Sequence, residues 1–373
     1  MIMADNHFGA SSSTGVLVRD ILEWHVPEEV LAVLLIDRST GHNLIWATDD
    51  YAARGTGFGA NEEMQVAQIA DRDHPVIRPR VDKNADEQRQ RSVKRAEVFT
   101  PSWICNKQNN LVDAAWFGWK KRDSSPFNTE LPMGGPPSSA TADATDMFLP
   151  WKTSLQRVKF PKGKTWQEYV KAPRLEVSCG EAPYLVSRYD TVSGRIIPVG
   201  ERIGLLDRKL RVITENIGMG DIQDWLYYAK RAMQSIYGFD WQGDNVLLAR
   251  ENVLFTVVES FNAAFYDGGD SSLARFTADA PTSLPGKSCL LEFAEIISWN
   301  IWQMDGIKFV VPMSCRPTVT KTPFLDGTVE THTEQCPGCR KKDNSRHTGT
   351  YCKIMDWNSG QEVKFATLHE GVK

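Results

Sequence analysis

The sequence predicts an α/β protein built on a parallel sheet, and three observations carry that expectation. Residues 175–310 alternate short strand-like apolar runs with helical stretches long enough to serve as crossovers, which is the pattern of successive βαβ units. Two of those runs end at residues suited to a ligand: LEVSCGEAPYL (175–185) turns at Gly180, and IYGFD (236–240) ends on Asp240. A chain of 373 residues with 41% apolar and 24% charged side chains suffices for one large α/β domain with attachments.

Taken in order, residues 1–14 are small and polar and read as unstructured. Residues 15–37 carry apolar side chains at helical spacing, interrupted at Pro27, so two short elements are expected there. LIWAT (44–48) reads as a short strand. Residues 78–95 hold Arg78, Arg80, Lys83, Arg89, Arg91, Lys94 and Arg95 against Asp82, Asp86 and Glu87, either a solvated helix face or a phosphate-contacting surface. Residues 122–150, rich in Gly, Pro, Ser, Thr and Ala, form the clearest loop. After it, Lys152, Arg157, Lys159, Lys162, Lys164, Lys171 and Arg174 face a single acid, Glu168, and are interleaved with Trp151, Phe160, Trp166 and Tyr169. That mixture suits backbone contact plus base stacking, with Lys159, Lys162 and Lys164 as DNA-contacting candidates. It equally suits a surface loop packed by its own aromatics. Beyond it the expected elements are strand RLEVSC, helix GDIQDWLYYAKRAMQSI, strand IYGFD, a long helix NVLLARENVLFTVVESFNAAF, and LLEFAEIISWNIWQMDG running from helix into strand.

Composition narrows the function classes. No apolar run approaches the roughly 18 residues of a membrane helix, and the first residues lack a secretory pattern. Seven Cys, an odd and scattered set, fit a reducing cytoplasmic setting better than a disulfide scaffold. The net charge of −4 excludes a chain that is basic throughout, but leaves room for local basic patches.

The chemistry concentrates at the predicted strand ends. Gly180 permits close backbone approach of a ligand. Asp240, at the end of the second strand, has the two acceptors a ribose diol needs, Trp241 could pack against an adenine, and Asp305 after the third strand could accept from an exocyclic amine. Each acid alone could be an ordinary cap or loop residue; the ordered series is the signal.

At this point the chain resembles a known family. KRAEVFTPSWICNKQNNLV (94–112) looks like the FTP-containing segment of bacterial adenine-N6 DNA methyltransferases, the modification enzymes of restriction systems. LEVSCGEAPYL is similar to their DPACGSGxFL motif, IYGFDWQGDNVLLARENVL to their second-strand motif, and NIWQMDGI to the short NIxxGDxL motif that follows. The resemblance spans about 94–310 and is best at 236–254. It implies a Rossmann-like sheet that binds S-adenosylmethionine (SAM), DNA as substrate, and a partner subunit of a restriction or phage-defence system. It further implies that Phe99, Thr100 and Pro101 border the methionine end of SAM, and that Glu176, Cys179, Gly180 and Glu181 form the turn beneath it. Asp240 would hold the ribose, Trp241 flank the adenine, and Asp305 contact its amine. The chain departs from the pattern in having Glu176-Val177 for Asp-Pro and Ala182 or Pro183 for the second Gly. It also lacks the [NDS]PP[YF] motif that holds the flipped base; its only Pro-Pro pair, Pro136-Pro137, has neither the polar residue nor the aromatic. Asn300 and Trp302 offer an amide and a ring as stand-ins.

The last segment has its own signal. Cys315, Cys336, Cys339 and Cys352 are spaced C-x20-C-x2-C-x12-C, with His332 and His347 nearby. The CPGC knuckle puts two thiolates on one turn, as tetrahedral zinc requires, and either His could replace Cys315. Arg340, Lys341 and Lys342 beside the knuckle are further DNA-contacting candidates. The expected organisation is an N-terminal extension (1–93), a methyltransferase-like domain (94–311) with an insertion at 122–174, and a Cys-bearing C-terminal segment (312–373). Three functions stay open: a SAM-dependent DNA adenine methyltransferase, a catalytically altered subunit that binds DNA or a partner, and a SAM-fold enzyme making another base modification.

Overall fold

The computed structural model describes residues 26–70, 75–95, 100–119, 125–131, 149–217, 221–266, 276, 288–323 and 329–370. The expectations for residues 1–25, most of the 122–150 loop, and Phe99 fall outside the described residues.

The centre is a three-stranded parallel sheet in the order β3 (Arg174–Val177), β4 (Ile236–Asp240), β5 (Ile301–Gln303). Leu175 and Val177 lie opposite Tyr237 and Phe239, and Phe239 opposite Trp302. The crossover from β3 to β4 contains α6 (Leu205–Ile217) and α7 (Ile222–Met233). That from β4 to β5 contains α8 (Gly243–Phe265) and α9 (Cys289–Asn300). Asp221 caps α7 by accepting from the Asp224 N–H at 2.9 Å, and Lys230 and Arg231 sit in its last turn, where cations complement the helix dipole. The strand and helix expectations across 174–303 therefore correspond to elements of this sheet, and α6 is an addition to them.

Strand alternation gives the sheet two faces. Ile236 and Ile301 belong to the large core that also takes in α6 to α9 and α1 (Glu28–Leu35). Phe239 and Trp302 face the other way, into a smaller core with Met304, Val311, Cys352, Ile354 and Phe365. That layer comes from the C-terminal segment, through the hairpin β8 (Lys353–Asp356) and β9 (Gln361–Lys364) and α11 (Phe365–Glu370). The N-terminal extension and the Cys-bearing segment thus share cores with the sheet.

Arg250 shows how a charged residue of the best-matched motif serves packing. Fully buried in α8, it donates to Leu34 O, to Ile36 O at 2.9 Å, to Ile301 O at 2.8 Å and to Ser298 O at 3.0 Å. These carbonyls close the ends of α1 and α9, where no intrahelical donor is left.

Two expectations are corrected. LIWAT is not a strand of the sheet: it forms an antiparallel bridge at Ile45–Glu63, flanked by backbone hydrogen bonds from Trp46 N–H to Glu62 O, Ala47 N–H to Ala60 O and Met64 N–H to Leu44 O. On its other edge the Gln303 side chain satisfies Ile45: its amide oxygen accepts from Ile45 N–H at 3.1 Å and its amide nitrogen donates to Ile45 O at 2.9 Å. The aromatics of 151–169 point inward. Trp151 and Tyr169 are buried, and Phe160 packs among Trp116, Phe117 and Tyr169. These rings are committed to packing, as in the second of the two readings for this segment. Lys164 lies over the Trp116 ring, 4.5 Å from its centroid, and bonds the Trp116 carbonyl, while Lys159 and Lys162 are exposed.

Among the described residues the remaining sheets are small antiparallel pairs. Strands β1 (Asn128–Glu130) and β2 (Trp151–Thr153) close the base of the insertion. Strands β6 (Thr318–Pro323) and β7 (Val329–Glu334) form a hairpin whose β7 residues are all exposed. No described helix is long and apolar enough to cross a membrane.

Candidate functional site

Two clusters stand out, one at the carboxyl ends of the strands and one in the C-terminal segment. At the first, β3 leads into a tightly wound turn in which Ser178, Gly180 and Ala182 all have positive φ, at 51°, 53° and 64°. Left-handed backbone is costly for residues with a Cβ, so Ser178 and Ala182 hold conformations that glycine adopts freely. The turn is pinned by Cys179 N–H donating to Phe239 O at 2.8 Å and by Gly180 N–H donating to Asp240 Oδ2 at 3.0 Å. The Asp240 Oδ1 accepts from Gln242 N–H at 3.1 Å and from the Asn245 amide at 3.4 Å.

Beneath the turn, the Glu176 oxygens accept from Tyr184 N–H at 3.3 Å and Leu185 N–H at 3.1 Å. Burial pushes the Glu176 carboxyl up to about 8 and raises Asp240 as well; the backbone hydrogen bonds only partly offset this. Glu181 is also buried; its Oε1 accepts from Arg80 N–H at 2.7 Å and its Oε2 from the Tyr189 hydroxyl at 2.6 Å. It ties the N-terminal extension to the turn. Cys179 is buried, with its thiol raised by burial, as befits a packing residue.

The start of α4 (Ser102–Phe117) joins this neighbourhood. Pro101 precedes the helix, Ser102 N–H donates to Asp190 at 2.8 Å, and Thr100 O accepts from the Thr191 hydroxyl at 3.0 Å. The fold thus brings Thr100, Pro101, Glu176, Gly180, Glu181 and Asp240 into one region. Trp241 follows, 38% exposed as a residue, with its indole N–H donating to Ala47 O at 3.1 Å. Asp305 is more committed: Oδ1 accepts from Ile307 and Lys308 N–H, and Oδ2 lies 3.0 Å from Lys308 Nζ. An exocyclic amine would have to share that second oxygen.

Asn300 and Trp302 lie elsewhere, and their stand-in role is corrected. Asn300, at the amino end of β5, donates to Met233 O and Ile236 O and accepts from the Trp357 indole. Trp302 is buried against Phe239 and Phe365. Neither has a free polar group facing the strand ends where Asp240 sits.

In the second cluster the ligand set is also corrected. Cys315, Cys336, Cys339 and His347 bring their donor atoms within 4.8 Å of one another. Cys352 is buried instead among Phe239 and Trp302, its thiol directed at Gln303 O. A tetrahedral zinc with ordinary bond lengths places sulfur and nitrogen ligands about 3.6 Å apart. Here His347 Nδ1 lies 3.6 Å from Cys315 Sγ and 3.7 Å from both Cys336 and Cys339 Sγ. The group could hold a metal ion such as zinc. The knuckle is made by α10 (Pro337–Lys341), which Cys336 precedes with Pro337 in the first turn. A Cβ on Gly338 would sit 2.7 Å from His347 N and Nδ1, so the CPGC glycine is required for the ring's approach.

Burial opposes ionisation of Cys336, but hydrogen bonds from Thr348, the Cys339 N–H and His347 outweigh it and bring its thiol to about 5. Burial and the neighbouring thiols push Cys315 up to about 11. Successive thiols in so small a space resist ionisation unless a cation joins them. Three thiolates around a divalent ion leave one negative charge. Lys308 is held nearby by Asp305, its ammonium stabilised first by that hydrogen bond and also by Cys339 and Cys315. Arg340 pairs with Glu334 at 3.0 Å, whereas Lys341 and Lys342 are exposed.

No family model, no curated protein and no solved structure matches this chain.

Proposed function

We propose that this chain is a SAM-binding, methyltransferase-like protein acting on DNA within a restriction-modification or phage-defence system. The observation that carries the reading is the pair of buried carboxylates, Glu176 and Asp240, on either side of the Gly180 turn. Their hydrogen-bond partners are backbone N–H groups and one amide, with no cationic side chain among the described residues bonded to either. SAM carries an ammonium and a sulfonium and would supply the positive charge that these acids lack. Its ribose diol would compete for the oxygens of Asp240. The resemblance of motif order adds adenine N6 as the target. SAM brings an already activated methyl group, so the protein's tasks are to orient the acceptor and exclude water.

The lack of a Pro-Pro-aromatic motif, together with the burial of Asn300 and Trp302, favours a version whose target-base contacts come from a partner subunit. The zinc-type centre has the closed ligand set of a structural site, which suits a bracing role over a catalytic one. Calorimetry with SAM tests the reading: micromolar binding is expected, weakened about tenfold or more by Asp240→Asn. Absence of SAM binding to the intact chain would sink it. SAM binding without transfer of labelled methyl to DNA, alone or with co-encoded partner chains, would leave the altered, non-catalytic subunit as the surviving version.

A further inference from the structure

Two cations of the basic stretch at 78–95 turn inward instead of facing solvent. Arg91 is 4% exposed and Lys83 8% exposed, and both are directed at Asp244 in the first turn of α8. With Asp50, Tyr51, Arg54, Val76, Arg78 and Glu87 they line a cavity of about 170 Å³, several times the roughly 30 Å³ share of one water.

The acids around this cavity are already engaged. Asp244 Oδ2 accepts from the Tyr51 hydroxyl at 2.7 Å and lies 2.9 Å from Arg91 Nη2, while Oδ1 accepts from Asn245 N–H. Asp50 pairs with Arg91 at 3.4 Å, and Glu87 with Arg78 at 3.4 Å. Lys83 is the least well matched of the cations. Its buried Nζ is ion-paired with Asp244 Oδ2 at 3.5 Å but, among the described residues, makes no hydrogen bond. A buried ammonium with unused protons is expensive unless an acceptor reaches it. Arg54 adds an exposed cation at the same cavity.

We propose that this cavity is an anion subsite that takes a phosphate group, with Lys83 as its inner contact and Arg54 at its mouth. Phosphate offers several acceptor oxygens to an ammonium with three donors, and the guanidinium of Arg54 suits it equally. The same chemistry is available from a nucleic-acid backbone or from a free phosphate compound. The subsite stands independently of SAM binding, which involves other residues.

The test uses the full chain and inorganic phosphate, with ionic strength held constant by chloride. Phosphate is expected to bind by calorimetry and to raise the thermal midpoint. Lys83→Met should weaken binding about tenfold or more, and Arg54→Gln several-fold. Arg54 is exposed, so its variant keeps the test decisive if Lys83→Met fails to fold. The proposal is overturned if phosphate does no more than chloride, or if the folded variants bind it as well as the wild type does. A short duplex that displaces phosphate would identify a backbone phosphodiester as the natural ligand; phosphate binding that a duplex leaves untouched would identify a small phosphate compound. SAM affinity measured on the same variants should be unchanged, which keeps the two readings separable.

Discussion

Glu176 illustrates how one buried carboxyl couples stability to a ligand. Burial pushes its carboxyl up to about 8 in the folded chain, above the 4.5 of a free glutamate. Between those values the folded chain keeps a proton that the unfolded chain releases. This contribution to stability is therefore complete below the lower value and lost as pH rises through the upper one, by a few kcal/mol at most. Denaturation across pH should show Glu176→Gln gaining on the wild type between about pH 4.5 and 8. If the proposed cationic ligand binds beside Glu176, binding at neutral pH should also release protons, seen in calorimetry as a heat that varies with the buffer. The second residue-scale prediction concerns the metal. Cys339→Ser and His347→Ala should each lower bound zinc well below one ion per chain. Cys352→Ala should keep full zinc content while losing stability by about 1–3 kcal/mol through its packing against Phe239 and Trp302. Equal metal loss in all three would restore Cys352 to the ligand set.

At the scale of the element, α8 organises the molecule. Its amino end presents Asp244 to the basic cavity, its middle supplies Arg250 to the ends of α1 and α9, and Gly243 lets it start directly beneath Ile45. A Cβ on Gly243 would meet Ile45 O at 2.1 Å, a backbone atom that cannot move aside cheaply. Gly243→Ala is expected to destabilise the chain by about 2–4 kcal/mol in urea titration, and a near-neutral result would mean that the Ile45 segment yields to the added methyl group. The helices of the crossovers were legible because each buries a stripe of apolar residues at helical spacing and carries recognisable caps, as at Asp221. LIWAT reads as a strand in sequence because a short buried run looks the same whether a full ladder forms or one edge meets a single bridge and the other a side-chain amide such as that of Gln303.

For the whole molecule, the C-terminal segment acts as a layer. It covers the sheet face bearing Phe239 and Trp302, and the Cys/His group, which could hold a metal ion, lies at the base of the exposed β6–β7 hairpin. Removing metal with a chelator should increase hydrogen exchange and proteolysis across 315–347 first, with α8 remaining protected. Simultaneous loss of protection in α8 would show that the metal supports the whole fold.

Much of this protein could be read from residue order alone. The parallel strands at 174–177, 236–240 and 301–303, their crossover helices, the turn at Gly180 and the CPGC knuckle all announce themselves through local spacing, because the backbone periodicities that make them are local. The tertiary structure decided what depends on distant residues meeting. It placed His347, not Cys352, with Cys315, Cys336 and Cys339 in the group that could hold a metal, because burial against the sheet removes Cys352 while the Gly338 turn admits the imidazole ring. It sent the aromatics of 151–169 into the core and buried Asn300 and Trp302. It also gathered Lys83 and Arg91 around Asp244, some 150–160 residues away along the chain. Sequence spacing specifies which groups are neighbours along an element; only packing decides which of them remain free to bind anything.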